Sequence, residues 1–303
     1  MFLKKQENLG VFFVLVSALI TSIGPIMVNK GVKNIPPLMF ASISFIMSAL
    51  FFLFICISQK RLSEFKQKKS NIYFDLFLIT IFVVIIPYTL FFIGSAKTTG
   101  LNSSLLQLSE LLFALLVAYF VGEKNTLNKY IGAGGILIGS IFLIYHGSLQ
   151  LNFGDILIVL SAASFPLGNF YAKKALNILS PSVILFFRYL VGGLFIFLLS
   201  LIFESYTNFK EIFFDNWKYF FSYGFLVMPL STFLWYQSLR RLDISKATSL
   251  NMLYPFFSVL ILMILGEKIN IIQFIGIVII FLGVYFTFNY SSTDPKLTKY
   301  AHS

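Results

Sequence analysis

The chain is a succession of apolar stretches, each about as long as a bilayer is thick, cut at short intervals by Lys, Glu, Asn, Gly and Pro. A helix needs roughly 20 mainly apolar residues to cross the hydrocarbon, because each residue advances it by about 1.5 Å. Ten such stretches can be drawn, at 10–28, 38–57, 75–94, 101–121, 130–146, 154–172, 182–203, 217–238, 245–265 and 271–289. Only 12% of the 303 residues are charged and 58% are hydrophobic, whereas a soluble domain carries about 25% charged residues. One aqueous core cannot hide that much apolar surface, which excludes an ordinary water-soluble enzyme. The chain therefore reads as an all-α integral membrane protein whose partners include membrane lipids. Its first stretch follows Lys4 and Lys5, but it is long for a signal peptide and lacks a small-x-small cleavage site, so it reads as a retained helix.

The formal charge of +11 would suggest nucleic acid in a soluble protein. Here its distribution gives a different answer. With ten helices and the N-terminus inside, sixteen basic residues fall in cytoplasmic segments, Lys60, Arg61, Lys66, Lys68 and Lys69 in a single loop. The opposite side holds only Lys30, Lys33, Lys97, Lys210, Lys218 and Lys268. Basic residues accumulate in cytoplasmic loops, so both termini are expected in the cytoplasm, as tails 1–9 and 290–303, with no nucleic-acid partner. The lone Cys56 excludes an internal disulfide and a cysteine-rich metal site. No Gly-x-x-x-x-Gly-Lys-Ser/Thr loop is present, and neither a cofactor nor a metal is expected.

Shifted by 144 residues, the chain matches itself. From Leu106 to Phe142, identities fall at 11 of 37 positions, among them Gly122-Glu123-Lys124 on Gly266-Glu267-Lys268, where composition alone gives roughly 3. At the same offset Ser17, Ala18, Gly24, Lys30 and Pro37 meet Ser161, Ala162, Gly168, Lys174 and Pro181. Each copy holds five expected helices, and an odd number makes the second enter the membrane from the opposite side. Two inverted five-helix repeats, 10–146 and 154–289, are the expectation, an arrangement found in transporters with the substrate site between the halves.

These residues carry a resemblance to the drug/metabolite transporter superfamily, EamA type. The stretch Leu105-Leu106-Gln107-Leu108-Ser109-Glu110-Leu111 leads into Gly122-Glu123-Lys124, Gly132 and Gly139; Leu253-Tyr254-Pro255 leads into Leu265-Gly266-Glu267, Gln273, Gly276 and Gly283. Relatives often show Glu-Pro where this chain has Glu110-Leu111 and Tyr254-Pro255. The arginine they carry in helices 2 and 7 is Ser44 and Arg188 here. The resemblance covers about residues 10–289 and implies ten helices, no enzymatic activity, and a small-molecule substrate in the class of amino acids or related amphipathic solutes, moved outward across a bacterial inner membrane.

Charged side chains inside lipid normally face a cavity or a partner. Two candidates exist, Glu110 in the fourth stretch and Arg188 in the seventh. Glu110 is the candidate for coupling to protons. Arg188 has two readings, a charge partner within the bundle or a long stem that snorkels to the headgroups. Ser103, Gln107, Glu110 and Ala114 recur at spacings of four, three and four, as do Thr248, Asn251, Tyr254 and Ser258 at three, three and four, so each set would share one helix face and line a substrate pathway. Asn169 on the sixth stretch, and Trp235 and Tyr88 as aromatic walls, complete the expected pathway, with interhelical hydrogen bonding as the alternative role for these polar groups. Pro25, Pro87, Pro166, Pro229 and Pro255 are expected hinges, because proline removes a helical hydrogen bond.

A secondary transporter working by alternating access is the leading reading. A passive facilitator or channel is the alternative. A lipid-modifying membrane enzyme would need paired acids, histidines or metal ligands, and the only histidines are His146 and His302.

Overall fold

A computed structural model describes residues 2–66, 71–122, 127–144, 152–204, 208–264, 266 and 270–289, and among the described residues there is no strand. The first half contains α1 (Phe2–Thr21), α2 (Gly24–Gly31), α3 (Pro37–Ser58), α4 (Ile72–Thr80), α5 (Ile86–Ser95), α6 (Gly100–Leu106), α7 (Glu110–Phe120) and α8 (Leu127–Ile144). The second contains α9 (Phe153–Ala175), α10 (Pro181–Phe203), α11 (Phe209–Asp215), α12 (Trp217–Tyr219), α13 (Met228–Leu239), α14 (Ile244–Asn251), α15 (Tyr254–Ile264) and α16 (Ile271–Asn289). Five helical segments are long and apolar enough to cross a membrane: Gln6–Gly31, Pro37–Ser58, Ile72–Ser95, Phe153–Ala175 and Pro181–Phe203. Gln107–Phe120, Tyr130–Gly139 and Phe274–Phe286 are shorter apolar helices. Phe54, Phe120, Ile202, Phe203 and Ile264 are largely exposed, an arrangement suited to lipid and costly in water. This is a multi-pass membrane protein.

Several apolar stretches are interrupted where a continuous helix was expected. The chain turns at Ser22-Ile23 between α1 and α2, tightens to a 3-10 turn at Gln107–Ser109 before α7, and turns again at Met252-Leu253 before α15. Wider π turns occupy Ile81–Ile85 and Phe220–Val227. Four of the five prolines named as hinges, Pro25, Pro87, Pro229 and Pro255, are the second residue of the helix that follows an interruption, where a missing N–H leaves nothing unsatisfied. Pro166 departs from that expectation: α9 runs through it unbroken. Lipid supplies no hydrogen bonds, so carbonyls freed by an interruption need protein donors. Serines from other segments provide them. Ser258 Oγ donates to Ser22 O at 2.7 Å, Ser164 Oγ to Phe82 O at 2.9 Å and Ser48 Oγ to Gly224 O at 2.6 Å.

Packing joins like with like across the two halves. α3 packs along α10 and α8 along α16, while α1 lies on α13 as α9 lies on α5. Helix ends are capped reciprocally as well. The Glu204 carboxylate, just past α10, accepts from the backbone N–H of Leu38 and Met39 at 2.7 and 2.9 Å, and Glu64, past α3, accepts from Ser180 N–H at 2.7 Å. Each acid satisfies orphan donors at the start of the neighbouring helix and complements its dipole. Gly122 and Gly266 have φ of +84° and +95°, the left-handed geometry that ends a helix readily only at glycine; the Glu and Lys that follow each of them lie outside the described residues, as do His146 and His302.

α8 and α16 approach backbone to backbone. A Cβ at Gly139 would lie 2.6 Å from Gly276 O, and one at Gly283 would lie 2.6 Å from Gly132 O, whereas one at Gly134 meets nothing within 4 Å. Gly139→Val is therefore expected to lower the melting temperature in detergent by overpacking of about 1–3 kcal/mol, with Gly134→Ala close to the parent. Equal melting of the two variants would show that the glycine contact is not what holds these helices together.

Candidate functional site

The interruptions surround one cavity, with unfilled space of about 880 Å³ including its open mouth. Much of its lining is drawn in equivalent pairs from the two halves. At the spacing of 144, Thr21 pairs with Phe165, Pro25 with Asn169, Val83 with Val227, Tyr88 with Thr232, Phe91 with Trp235, Gln107 with Asn251, and Glu110 with Tyr254. Both members of all seven pairs line the cavity. Position is duplicated but chemistry is not. The acid Glu110 faces a tyrosine in the other copy, and the cation Arg188, also in the lining, corresponds to Ser44, which is not.

Glu110 is the first residue of α7, directly after the 3-10 turn, and lines the cavity. Its Oε1 accepts from Asn169 Nδ2 at 3.5 Å, and Asn169 Oδ1 accepts from Trp235 Nε1 at 3.4 Å. This loose relay joins three segments across one wall. Among the described residues no cation lies within ion-pair distance of Glu110. Gln107 Nε2 donates to Ser161 Oγ at 3.4 Å, and the carbonyl-type oxygen of Asn251 is buried with no hydrogen-bond partner.

Arg188 does not snorkel: it is 1% exposed. Its Nη1 donates to Tyr236 Oη at 2.8 Å and its Nη2 to Tyr189 Oη at 2.7 Å, while Cζ stands 4.8 and 4.5 Å from the same two ring centroids. The two tyrosines supply both hydroxyl acceptors and π faces, replacing water around a group that stays charged in proteins. Nε is buried without a partner, and among the described residues no carboxylate pairs with the guanidinium. A cation so held presents unspent positive charge to the cavity.

Of the pathway residues named from sequence, Gln107, Glu110, Asn251, Tyr254, Asn169, Trp235 and Tyr88 line this cavity, as does Pro25. Ser103 and Thr248 do not; both are buried, their hydroxyls without hydrogen-bond partners. Pro87, Pro166 and Pro229 are also outside the lining. Sequence reasoning passed over Thr232 and Phe165. The repeat itself carried the signal for both, since they are the equivalents of Tyr88 and Thr21. For Tyr223, also in the lining, no signal stood out in a chain with 38 phenylalanines and 15 tyrosines.

A multi-pass helical membrane protein whose two halves contribute matching, interrupted segments to one polar and aromatic cavity has the build of a membrane transporter for small molecules. The comparisons with known proteins agree. The EamA-like transporter family matches twice, over residues 8–145 and 152–289, and the chain belongs to that family, within the drug/metabolite transporter superfamily. It is 26% identical over 273 residues to the uncharacterized transporter YoaV of Bacillus subtilis, covering 86% of this chain and 90% of that one. An uncharacterized transporter of Methanothermobacter thermautotrophicus is 24% identical over 276 residues, 84% of this chain and 78% of the other. A solved crystal structure shares the fold with a TM-score of 0.72 at 16% identity, covering 91% of this chain and 94% of that one.

The tyrosine cradle is open to test. Tyr236→Phe removes one of the two hydroxyls and leaves a buried N–H unsatisfied, so a loss of about 1–3 kcal/mol is expected, read as a lower melting temperature. Melting identical to the parent would mean that the guanidinium has another acceptor.

Proposed function

We propose that this protein is a secondary transporter with ten membrane spans in two inverted five-helix repeats, 10–146 and 154–289, both tails being cytoplasmic. It exports small zwitterionic, amphipathic metabolites of the amino-acid class across a bacterial inner membrane by alternating access. The observation that carries this reading is the cavity lining, to which seven pairs of equivalent positions in the two halves contribute. A site shared in this way can be exposed to either face when one half rocks against the other.

The substrate class follows from the unequal charges. Arg188, held by tyrosines and lacking a carboxylate, suits the carboxylate of a solute. Glu110, lacking a cation, suits an ammonium group or a proton. Phe91, Phe165, Tyr88 and Trp235 offer apolar and π surface between them. Glu110 carries the coupling proton, and Asn169 senses its state through the hydrogen bond they share.

Counterflow in proteoliposomes preloaded with amino acids tests this, with and without a pH gradient. Saturable exchange is expected from the parent. Glu110→Gln is expected to abolish gradient-driven accumulation and to weaken exchange of amine-bearing solutes, and Arg188→Met to weaken uptake of carboxylate-bearing solutes by about tenfold or more, the equivalent of one lost charge-assisted hydrogen bond. Gradient-driven uptake unchanged in Glu110→Gln would make that residue structural. Uptake that never saturates would favour the channel.

A further inference from the structure

Two polar atoms of the cavity residues are left without a partner, and they are of opposite kind. Among the described residues, buried side-chain nitrogen or oxygen atoms with no hydrogen-bond partner occur at seven positions, and only two of those residues, Arg188 and Asn251, line the cavity. The first atom is a donor, Arg188 Nε. The second is an acceptor, Asn251 Oδ1.

The repeat shows how the acceptor comes to be free. At the spacing of 144 Asn251 is the equivalent of Gln107, and Ser17 that of Ser161. In one half Gln107 Nε2 donates to Ser161 Oγ at 3.4 Å. In the other, Ser17 Oγ donates to Ser231 O at 2.8 Å, and Asn251, one methylene shorter than glutamine, is not joined to it. The hydroxyls of Ser231 and Thr232, also in the lining, are turned to Met228 O at 3.1 and 2.7 Å.

A carbonyl-type oxygen hidden from both water and donors costs free energy, because it has given up its hydration for no replacement bond. A small movement relieves it here. Asn251, the last residue of α14, is partly exposed and lines the cavity, and the terminal torsion of asparagine is broad and roughly two-fold, so turning the amide brings Oδ1 to the open side. The surroundings favour a cationic donor. α14 packs against α7, whose first residue is the cavity acid Glu110. A carboxylate attracts a positive charge whatever its substituents, whereas an amide oxygen accepts only along an N–H or O–H.

We infer that Asn251 is the specificity residue for the cationic end of the solute: Glu110 recognises the charge, and Asn251 Oδ1 accepts a hydrogen bond from an ammonium N–H. The pair selects primary and secondary amines over quaternary ammonium, which carries the same charge and no N–H. Arg188 holds the carboxylate in both cases, so the discrimination is confined to the substituents on nitrogen. This inference rests on the zwitterionic-solute reading proposed above and adds the residue that separates amino acids from betaines.

Isothermal titration calorimetry of the full chain in detergent tests it, with leucine, phenylalanine and threonine and the α-N,N,N-trimethyl derivative of each as probes. The parent is expected to bind at least one amino acid about tenfold or more tightly than its derivative, as one hydrogen bond to a charged group allows. Asn251→Leu is expected to cut that preference by about tenfold, by weakening the amino acid alone and leaving the affinity for the derivative unchanged. Asn251→Asp keeps an acceptor at the same position and is expected to keep the preference. The extra bulk of the derivative penalises it in every variant alike, so the change in preference reports the acceptor. Asn251→Val repeats the measurement should melting show that the leucine variant is unfolded. If the parent binds an amino acid and its derivative equally, or if the acceptor-free variant weakens both equally or keeps the preference, the specificity inference is overturned and the zwitterion reading stands. If the parent binds none of the amino acids, the substrate-class reading falls and this inference falls with it.

Discussion

Lipid offers the backbone no hydrogen bonds, and the architecture follows from that constraint. An unbroken helix satisfies itself, but it leaves nothing polar to offer a solute. A helix interrupted within the bundle frees polar groups and must have each one met. Here the freed carbonyls of Ser22, Phe82 and Gly224 are met by Ser258, Ser164 and Ser48, every one from a distant part of the chain. The interruptions are thus held in place by the tertiary fold, and they surround the cavity.

The same constraint governs charge. Arg188 persists in the interior because Tyr189 and Tyr236 do the work of water, and Glu110 accepts a hydrogen bond from Asn169. Neither is neutralised by the other half's copy, since Ser44 and Tyr254 stand at the equivalent positions. Duplication gives two walls of similar shape; divergence places one charge of each sign in the space between. The frame is symmetric and the lining is not.

Much of this was legible in sequence, for identifiable reasons. Apolar stretches and the spacing of 144 mark the helices and the duplication, because lipid exposure and inherited symmetry both act on residue type. Gln107, Glu110, Asn251 and Tyr254 stood out as polar groups where polarity is costly. Ser103 and Thr248 share helical spacing with Gln107 and Asn251 but are buried outside the cavity lining, although Thr248 and Asn251 lie on the same helix α14. No proline announces the 3-10 turn at Gln107–Ser109. The tyrosine cradle was invisible for another reason: Tyr236 lies 48 residues from Arg188, in a chain where aromatic residues make up 18% of the total.

The central claim is that the cavity reads both charges of a single solute. Trp235 lines it, and Trp217 is the other tryptophan of the chain, so Trp217→Phe leaves Trp235 emission as a direct report of occupancy. The measurement is a titration of that variant with an amino acid, its methyl ester and its deaminated acid. A saturable change with the amino acid, and binding about tenfold or more weaker for the two analogues, is the result the account requires. Equal affinity for all three, or an emission change that never saturates, would contradict it.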